Sequence, residues 1–490
     1  MSVLAFDLGA SSGRALIGRL ENGRLTIEEV HRFSNDPVQV GSHLHWDVLR
    51  LYYEMKQGIS KAARKEGAFE SIAIDTWAVD FGLLDENGEL LGNPYHYRDH
   101  HTDTAMEEVL ALVPRSEIFD RTGIQFIQFN TIYQLYALQK AGSVALKQAK
   151  HLLMIPDLLR YFLTGEKWSE FSNATTTQLY NPRQMDWDWE LIDRLKLPRE
   201  LFGRVVLPGT PVGRLLPALA EELGLESCPV IAIAEHDTGS AVAAVPADEE
   251  DFAYLSCGTW SLMGTETKEP VIHEQALALN FTNEGGVNGT FRLLKNIMGL
   301  WIIQECRRIW EQEGKPHTFG ELVVEAQQSP SFVSMIDPDD DAFYNPANMP
   351  EAIRAYCRRT GQPVPESEGE IIRCVIDSLA LKYRYILELT EQLTGKRYKG
   401  LHMVGGGIQN KLLCQATASA IGRPVWAGPV EGSAIGNILV QYMALGQIAD
   451  IAQARRIVRD SFPMEQYEPQ QTEVWAEAYA RFLVLSGLAG

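Results

Sequence analysis

Positive charge is in short supply in this sequence. Its 490 residues hold 44 Lys and Arg against 64 Asp and Glu, a formal net charge of −20. That balance argues against a general nucleic-acid or membrane-surface binder. An anionic ligand would have to be held by local backbone donors, a few Arg or Lys side chains and a metal. Cysteine is sparse as well. Cys228, Cys257, Cys306, Cys357, Cys374 and Cys414 lie far apart with no CxxC pair, which is neither a disulfide scaffold nor a zinc pattern. No uninterrupted apolar run reaches membrane-spanning length. The N-terminus has no basic segment and carries Asp7 inside its apolar run, unlike a signal peptide. The expectation is a soluble, cytoplasmic protein. Its apolar content of 45% and charged content of 22% are those of an ordinary globular chain, with room for roughly two to four domains.

What is present begins at Val3-Leu4-Ala5-Phe6, a short apolar run suited to a buried strand. It runs into Asp7-Leu8-Gly9-Ala10-Ser11-Ser12-Gly13-Arg14, where the backbone must turn sharply. Two glycines allow close approach to a ligand, two serines add hydroxyls beside exposed N–H groups, and Arg14 adds a planar donor fork. A turn of this kind holds phosphate oxygens. Asp7 is placed to hold Mg²⁺ through water, since that hard cation keeps much of its hydration. An ordinary β-hairpin with a Ser/Gly turn has the same local sequence. The stretch is neither a P-loop nor a dinucleotide fingerprint.

Along the chain, Glu21-Asn22-Gly23 marks a hairpin between strand-like Arg14–Leu20 and Arg24–Phe33. Trp46–Lys65 has helical spacing, Ser71–Asp75 reads as a buried strand, and Leu83–Leu91 reads as a hairpin about Glu86-Asn87-Gly88. From Ala253 the beginning is repeated: Ala253-Tyr254-Leu255-Ser256-Cys257-Gly258-Thr259-Trp260-Ser261 is again an apolar strand entering a Gly and hydroxyl turn, followed by strand-like Leu262–Glu266. Lys399–Val404 is a further strand ending in Gly405-Gly406-Gly407. Two strand-turn-strand phosphate loops about a domain apart predict two similar halves and an α/β fold. Pro246 and the acidic run 248–251 place the boundary there, giving domains 1–245 and 246–490. Met298–Glu313 and Glu370–Leu393 are expected helices, and Ser329–Pro350 an intervening loop.

Val230–Ala234 is a buried strand ending in Glu235-His236-Asp237-Thr238-Gly239. A carboxylate at the carboxyl end of a strand faces the crevice of an α/β sheet, which makes Asp237 the best general-base candidate. A plain helix N-cap is the other use of an Asp at such a place. The histidines of HYRDHH (His96, His100, His101), and His43 and His45, match no common zinc spacing. Asp337-Pro338-Asp339-Asp340-Asp341 begins like a calcium loop, but Ala342 and Asn348 stand where glycine and glutamate are needed, so an acidic surface loop is expected. Cys257 reads as a small buried thiol, and Cys357 and Cys374 as reduced thiols that would pair only if brought together.

Taken together, DLGASSGR at 7–14, IDTWAVDFGLLD at 74–85, NATTTQL at 173–179, EHDTGSAV at 235–242, YLSCGTWSLMG at 254–264, TNEGG at 282–286, LKNIMGLWIIQ at 294–304 and VGGGIQN at 404–410 resemble the FGGY family of carbohydrate kinases over nearly the whole chain. The resemblance implies two ribonuclease H-like (actin-like ATPase) domains with a catalytic cleft, and ATP-dependent phosphorylation of a sugar with Mg²⁺. By analogy Ala10, Ser11, Ser12, Gly13, Arg14 and Thr259 hold the ATP phosphates, and Gln304 and Gly406 lie along the rest of the nucleotide. His236, Asp237, Thr238 and Asn296 hold the sugar, with Asp237 as the base. Ala78 lines the sugar site where the family often has glycine. The general family motif with Trp before Asp near residue 99 is replaced here by Tyr97-Arg98-Asp99. Sugar and ATP are the expected partners, with no nucleic acid, membrane or protein partner implied. Which ketose is used stays open, and a non-catalytic ATP-gated sensor on the same scaffold is the alternative.

Overall fold

The computed structural model describes residues 2–489 and divides into two compact units. The first comprises Met1–Asp248, Glu266–Leu293 and Gly432–Ser461; the second comprises Glu249–Thr265, Leu294–Glu431 and Phe462–Gly490. Neither is a continuous half of the chain.

The first unit is built on a six-stranded sheet of β1 (Ser2–Leu8), β2 (Ser12–Glu21), β3 (Arg24–Ser34), β4 (Ile72–Thr76), β5 (Thr210–Arg214) and β6 (Pro229–Ala232) in the order β5-β6-β4-β1-β2-β3. β1 is buried along its whole length, as an unbroken apolar run in the middle of a covered sheet should be. β1–β2 and β2–β3 are antiparallel, β1–β4 and β4–β6 parallel, and β6–β5 antiparallel. Asn22 and Gly23 both take positive φ (51° and 74°) in the β2–β3 turn, the geometry for which Asn-Gly is selected. Helices Val48–Glu66 and Gly432–Ala444 both pack on β1 and β2. The first leaves Gly58 against Phe6 and Ala15, and the second puts Ile438 against Gly18.

The second unit repeats this order. β7 (Ala253–Cys257), β8 (Trp260–Thr267), β9 (Phe291–Met298), β10 (Leu401–Val404), β11 (Val425–Ala427) and β12 (Glu465–Tyr467) run as β9-β8-β7-β10-β11-β12 in a seven-stranded sheet whose remaining strand, Thr282–Gly285, lies beside β9 at the edge. β7–β8 is antiparallel, β7–β10 and β10–β11 parallel, and β11–β12 antiparallel. Helix Glu368–Thr394 opens with a Ser367/Glu370 capping box and closes on left-handed Gly395. Its Tyr383 meets Ser261 of β8, hydroxyl to hydroxyl, at 2.7 Å. No helix of the described residues is long and apolar enough to cross a membrane.

The hairpin about Glu86-Asn87-Gly88 forms: Leu84 bridges Leu90 and Leu91 N–H donates to Leu83 O at 2.9 Å, with the Asp85 carboxylate accepting from the N–H groups of Asn87 (2.8 Å) and Glu89 (2.9 Å). On its other side Phe81–Leu84 pairs with His151–Met154. Two local expectations change. Met298 ends strand β9, and the helix starts only at Trp301. The acidic stretch after Ile336 is surface only in part: Asp341 is exposed and Asp340 pairs with Arg359, whereas Asp337 and Asp339 lie 2.8 and 3.0 Å from the Lys382 ammonium. That side chain is 4% exposed, and the two carboxylates hold its pKa up against burial, which alone would lower it.

Candidate active site

In the first unit the turn after β1 is shaped by carbonyl acceptors. Gly9 N–H donates to Ser12 O (2.9 Å), Asn35 N–H to Ser11 O (3.1 Å), and the Asn35 side-chain amide to Gly9 O (2.9 Å). The carbonyls of Gly9, Ser11 and Ser12 are engaged, while the N–H groups of Ala10 and Ser11 meet no acceptor among the described residues. A short loop that shows donors and hides acceptors is an anion cradle. Asn35, fastening it from the end of β3, escaped the sequence reading; only the turn-like Ser34-Asn35-Asp36-Pro37 hinted at it. Neither Gly9 nor Gly13 takes a positive φ. A Cβ on Gly13 would fall 2.3 Å from the Phe33 ring, which would have to move to admit it.

Asp7 leaves the end of β1 beside that turn, ion-paired with Arg14. In the parallel register of β1 and β4 it stands opposite Asp75, another residue missed. The signal was available, since Ile72-Ala73-Ile74-Asp75 has the same form as Leu4-Ala5-Phe6-Asp7, an apolar strand ending in a carboxylate. Asp75 is fully buried. Its Oδ1 has no hydrogen-bond partner among the described residues, and the Asn437 amide donates to Oδ2 at 2.6 Å. Burial first, then the negative charge of Asp7, push its pKa well up. Two adjacent hard carboxylates with an orphaned oxygen fit a divalent cation such as Mg²⁺.

β6 delivers Glu235-His236-Asp237. Thr76 of β4 donates its N–H to Glu235 O (2.9 Å) and bridges to His236, so the ends of the two parallel strands hold the segment. Beneath it lies a buried ionic cluster. Arg160 donates to Glu235 Oε1 (2.8 Å) and Asp157 Oδ1 (2.6 Å), and Glu170 accepts from Glu235 N–H (3.2 Å) and from the Ser172 hydroxyl (2.6 Å). Ser172 in turn accepts from His236 N–H at 3.0 Å. Asp237 opens the helix Asp237–Ala243, whose cap is His236, without a side-chain capping bond. Its carboxylate instead accepts from the Thr238 hydroxyl (3.1 Å) and lies 3.5 Å from His236 Nε2. With 30% of its side chain exposed, the acid is reachable. Burial of its surroundings raises its pKa, the Asp7 charge adds to this, and His236 opposes it.

Ala78 follows β4 and is half-buried. Its neighbour Val79 has φ 66°, strained for a β-branched residue and thus held by its surroundings. The Thr131 hydroxyl (2.6 Å) and the Gln134 amide (3.3 Å) both donate to Val79 O. Asp80 accepts from Trp46 (2.5 Å), Trp77 (3.0 Å), Gln134 (2.8 Å) and the Tyr97 backbone (3.2 Å), while burial pushes its pKa up to about 7. His96 stacks on Tyr97 with centroids 4.6 Å apart and lies tilted against Trp46 at 4.1 Å, and burial takes its pKa down to about 3.

In the second unit the turn after β7 has the same design. Gly258 N–H donates to Trp260 O (3.0 Å), and the helix from Trp301 is seated on it through Leu300 N–H to Gly258 O and Trp301 N–H to Thr259 O (both 3.1 Å). This seating explains why the helix begins late. It also brings Gln304 to Thr259, whose hydroxyl donates to Gln304 Oε1 at 3.2 Å. Gly405 has φ 93°, and a Cβ on Gly407 would fall 2.3 Å from Cys257 Sγ. Gly406 is exposed, with nothing within 4 Å of a Cβ position. Thr259, Gln304 and Gly406 therefore gather at the ends of β7 and β10, while Asn296 lies half-buried on β9. Cys257 is a buried thiol with its pKa pushed up to about 12 by desolvation. Cys357 and Cys374 are free, buried and within hydrogen-bonding reach of each other.

Comparison with known proteins agrees with this geometry. Residues 2–244 match the N-terminal domain, and residues 253–445 the C-terminal domain, of the FGGY family of carbohydrate kinases. The chain is 48% identical over 478 residues to a rhamnulokinase of Bacteroides thetaiotaomicron, covering 98% of both chains. It is 46% identical over 487 residues to a rhamnulokinase of Pectobacterium carotovorum, covering 99% of this chain and 96% of that one. In fold it is similar to a ligand-bound xylulose kinase of Lactobacillus acidophilus, with a TM-score of 0.82 at 16% identity, covering 99% and 97% of the two chains. The doubled strand order, the two donor-presenting turns and these matches together lead to one conclusion: the chain belongs to the FGGY family of carbohydrate kinases.

Proposed function

We propose that this protein transfers the terminal phosphoryl group of ATP to the C1 hydroxyl of L-rhamnulose, giving L-rhamnulose 1-phosphate and ADP, with Asp237 as general base. The observation that carries the chemistry is the carboxylate of Asp237. It stands at the carboxyl end of a parallel strand, is partly open, is spared from helix capping, and has a raised pKa, as a proton acceptor for a hydroxyl needs. The substrate assignment rests on the near full-length identity to rhamnulokinases.

Each residue then has a task. The N–H groups of Ala10 and Ser11, together with Ser12, Gly13 and Arg14, are assigned to the phosphate oxygens, and Thr259, Gln304 and Gly406 to the nucleotide. Ala78, His236, Thr238 and Asn296 are assigned to the sugar. Asp237 accepts the C1 hydroxyl proton as its oxygen attacks phosphorus. Asp7 would hold Mg²⁺ through water, and the ion would supply charge neutralisation on the phosphates.

The test is ADP release measured over a panel of L-rhamnulose, L-fuculose and L-xylulose. L-Rhamnulose should give the highest kcat/KM by at least about tenfold, because one misplaced hydroxyl partner in a polar site is costly. Preference for another ketose would overturn the substrate, and ATP binding without turnover of any ketose would favour an ATP-gated sensor.

A further inference from the structure

The roles assigned above leave one fully buried charge at the site unexplained. Arg292, on β9 at its first-unit end, is 0% exposed. Its Nε donates to Gly285 O (2.9 Å), and its Nη2 lies 3.2 Å from Glu284 Oε2 and 3.1 Å from His236 Nδ1. Nη1 has no hydrogen-bond partner among the described residues. The guanidinium lies against Gly239, where a Cβ would meet Arg292 Cζ and Nη2 at an ordinary contact distance of 3.6 Å. Its strand neighbour Gly285 is fastened through its N–H to the Thr175 hydroxyl at 2.8 Å. An arginine placed so carefully, yet left with an idle nitrogen, is costly to bury.

Its position decides which nitrogen of His236 carries hydrogen. A guanidinium has donors only, so the nitrogen it meets must accept. In the neutral ring an accepting Nδ1 places the hydrogen on Nε2, and Nε2 is the nitrogen 3.5 Å from Asp237 Oδ1. Glu284 Oε2 also approaches Nδ1, at 3.1 Å. Acting alone it would draw the hydrogen to Nδ1 and turn a lone pair toward Asp237. The two neighbours favour opposite tautomers.

We propose that Arg292 is a positioning residue that sets the tautomer of His236, so that the imidazole donates from Nε2 to Asp237 and holds the carboxylate in one orientation, with Glu284 balancing the guanidinium. The inference rests on the reading of Asp237 as the base. With the opposite tautomer, two acceptors would face each other and Asp237 would turn away from its donor.

The test uses the full chain with ¹⁵N-labelled histidine. Two-bond ¹H–¹⁵N spectra report the tautomer of His236, identified by the signal lost in His236→Gln. The wild type should show Nε2–H. The double variant Arg292→Met/Glu284→Gln keeps the pair uncharged and lets the Gln oxygen accept, so the signal should move to Nδ1–H. Its kcat should fall about 10- to 1,000-fold, with KM for ATP changed less than about twofold. Arg292→Lys, which restores a cationic donor, should return both the tautomer and part of kcat, a rescue that a merely structural role does not produce. Nδ1–H in the wild type overturns the proposal even if neither Arg292 variant folds, and so does a double variant that keeps Nε2–H. The spectrum needs no turnover, so a chain that phosphorylates no ketose would defeat the functional reading without altering this result.

Discussion

The sharpest perturbation is Asp237→Asn. Asparagine keeps the size of the side chain and can still accept from Thr238, whose hydroxyl lies 3.1 Å away. The residue takes no part in the Arg160 cluster and caps no helix. Folding stability should therefore change by no more than about 1 kcal/mol. Catalysis should not be spared. Loss of a positioned general base costs ~10²–10⁴ in rate, or about 2.7–5.5 kcal/mol of barrier. Coupled ADP release gives kcat, and calorimetric titration gives ATP affinity, which should stay within about threefold because the phosphate turns are untouched. The pH profile adds a second arm. The base acts when ionised, and burial together with the Asp7 charge raises its pKa. Activity should thus be present above that raised pKa and be lost as pH falls through it, at a pH above the ordinary aspartate value of about 3.9. Near-wild-type turnover in the Asn variant, or an acid limb unchanged by the substitution, would refute the assignment.

Other substitutions probe the scaffold. Arg160→Met leaves Glu235 and Asp157 buried without their cation, which should cost about 3–5 kcal/mol in urea denaturation; a loss below about 1 kcal/mol would mean that the cluster is not what holds the segment before His236. Gly407→Ala forces a Cβ to 2.3 Å from Cys257 Sγ and 2.8 Å from Cys257 O, so it should lose about 1–3 kcal/mol and raise KM for ATP together. Gly406→Ala meets nothing within 4 Å, so its stability should match wild type while KM for ATP alone rises. An unchanged KM would remove Gly406 from the nucleotide site.

Much of the site's framework was legible in the chain because it is local. An apolar run of strand length followed by Gly and hydroxyl residues marked both turns, and Asn22-Gly23 marked its hairpin through a backbone preference that needs no tertiary help. The Glu86-Asn87-Gly88 turn was legible in the same way, and Leu84 does bridge Leu90, whereas the second partner of Phe81–Leu84, His151–Met154, lies too far along the chain to be read locally. The same local logic took Met298 for the start of a helix. The docking of Leu300 and Trp301 on the Gly258–Thr259 turn is a contact that no helical periodicity contains.

By itself the sequence determined the family, the α/β class, the repeated strand-turn-strand unit and the segments that carry the candidate site, because each depends on residues adjacent in the chain. Tertiary structure alone decided which distant groups meet there. Asp75 stands beside Asp7 and is bonded by Asn437, Arg292 reaches His236, Asp337 and Asp339 turn inward to Lys382, and Gly432–Ser461 joins the first unit after the chain has built most of the second. Those outcomes are set by desolvation and charge pairing among buried groups. A lone carboxylate or guanidinium cannot be left inside without a partner, and the partner is chosen by the packed fold rather than by its distance along the chain.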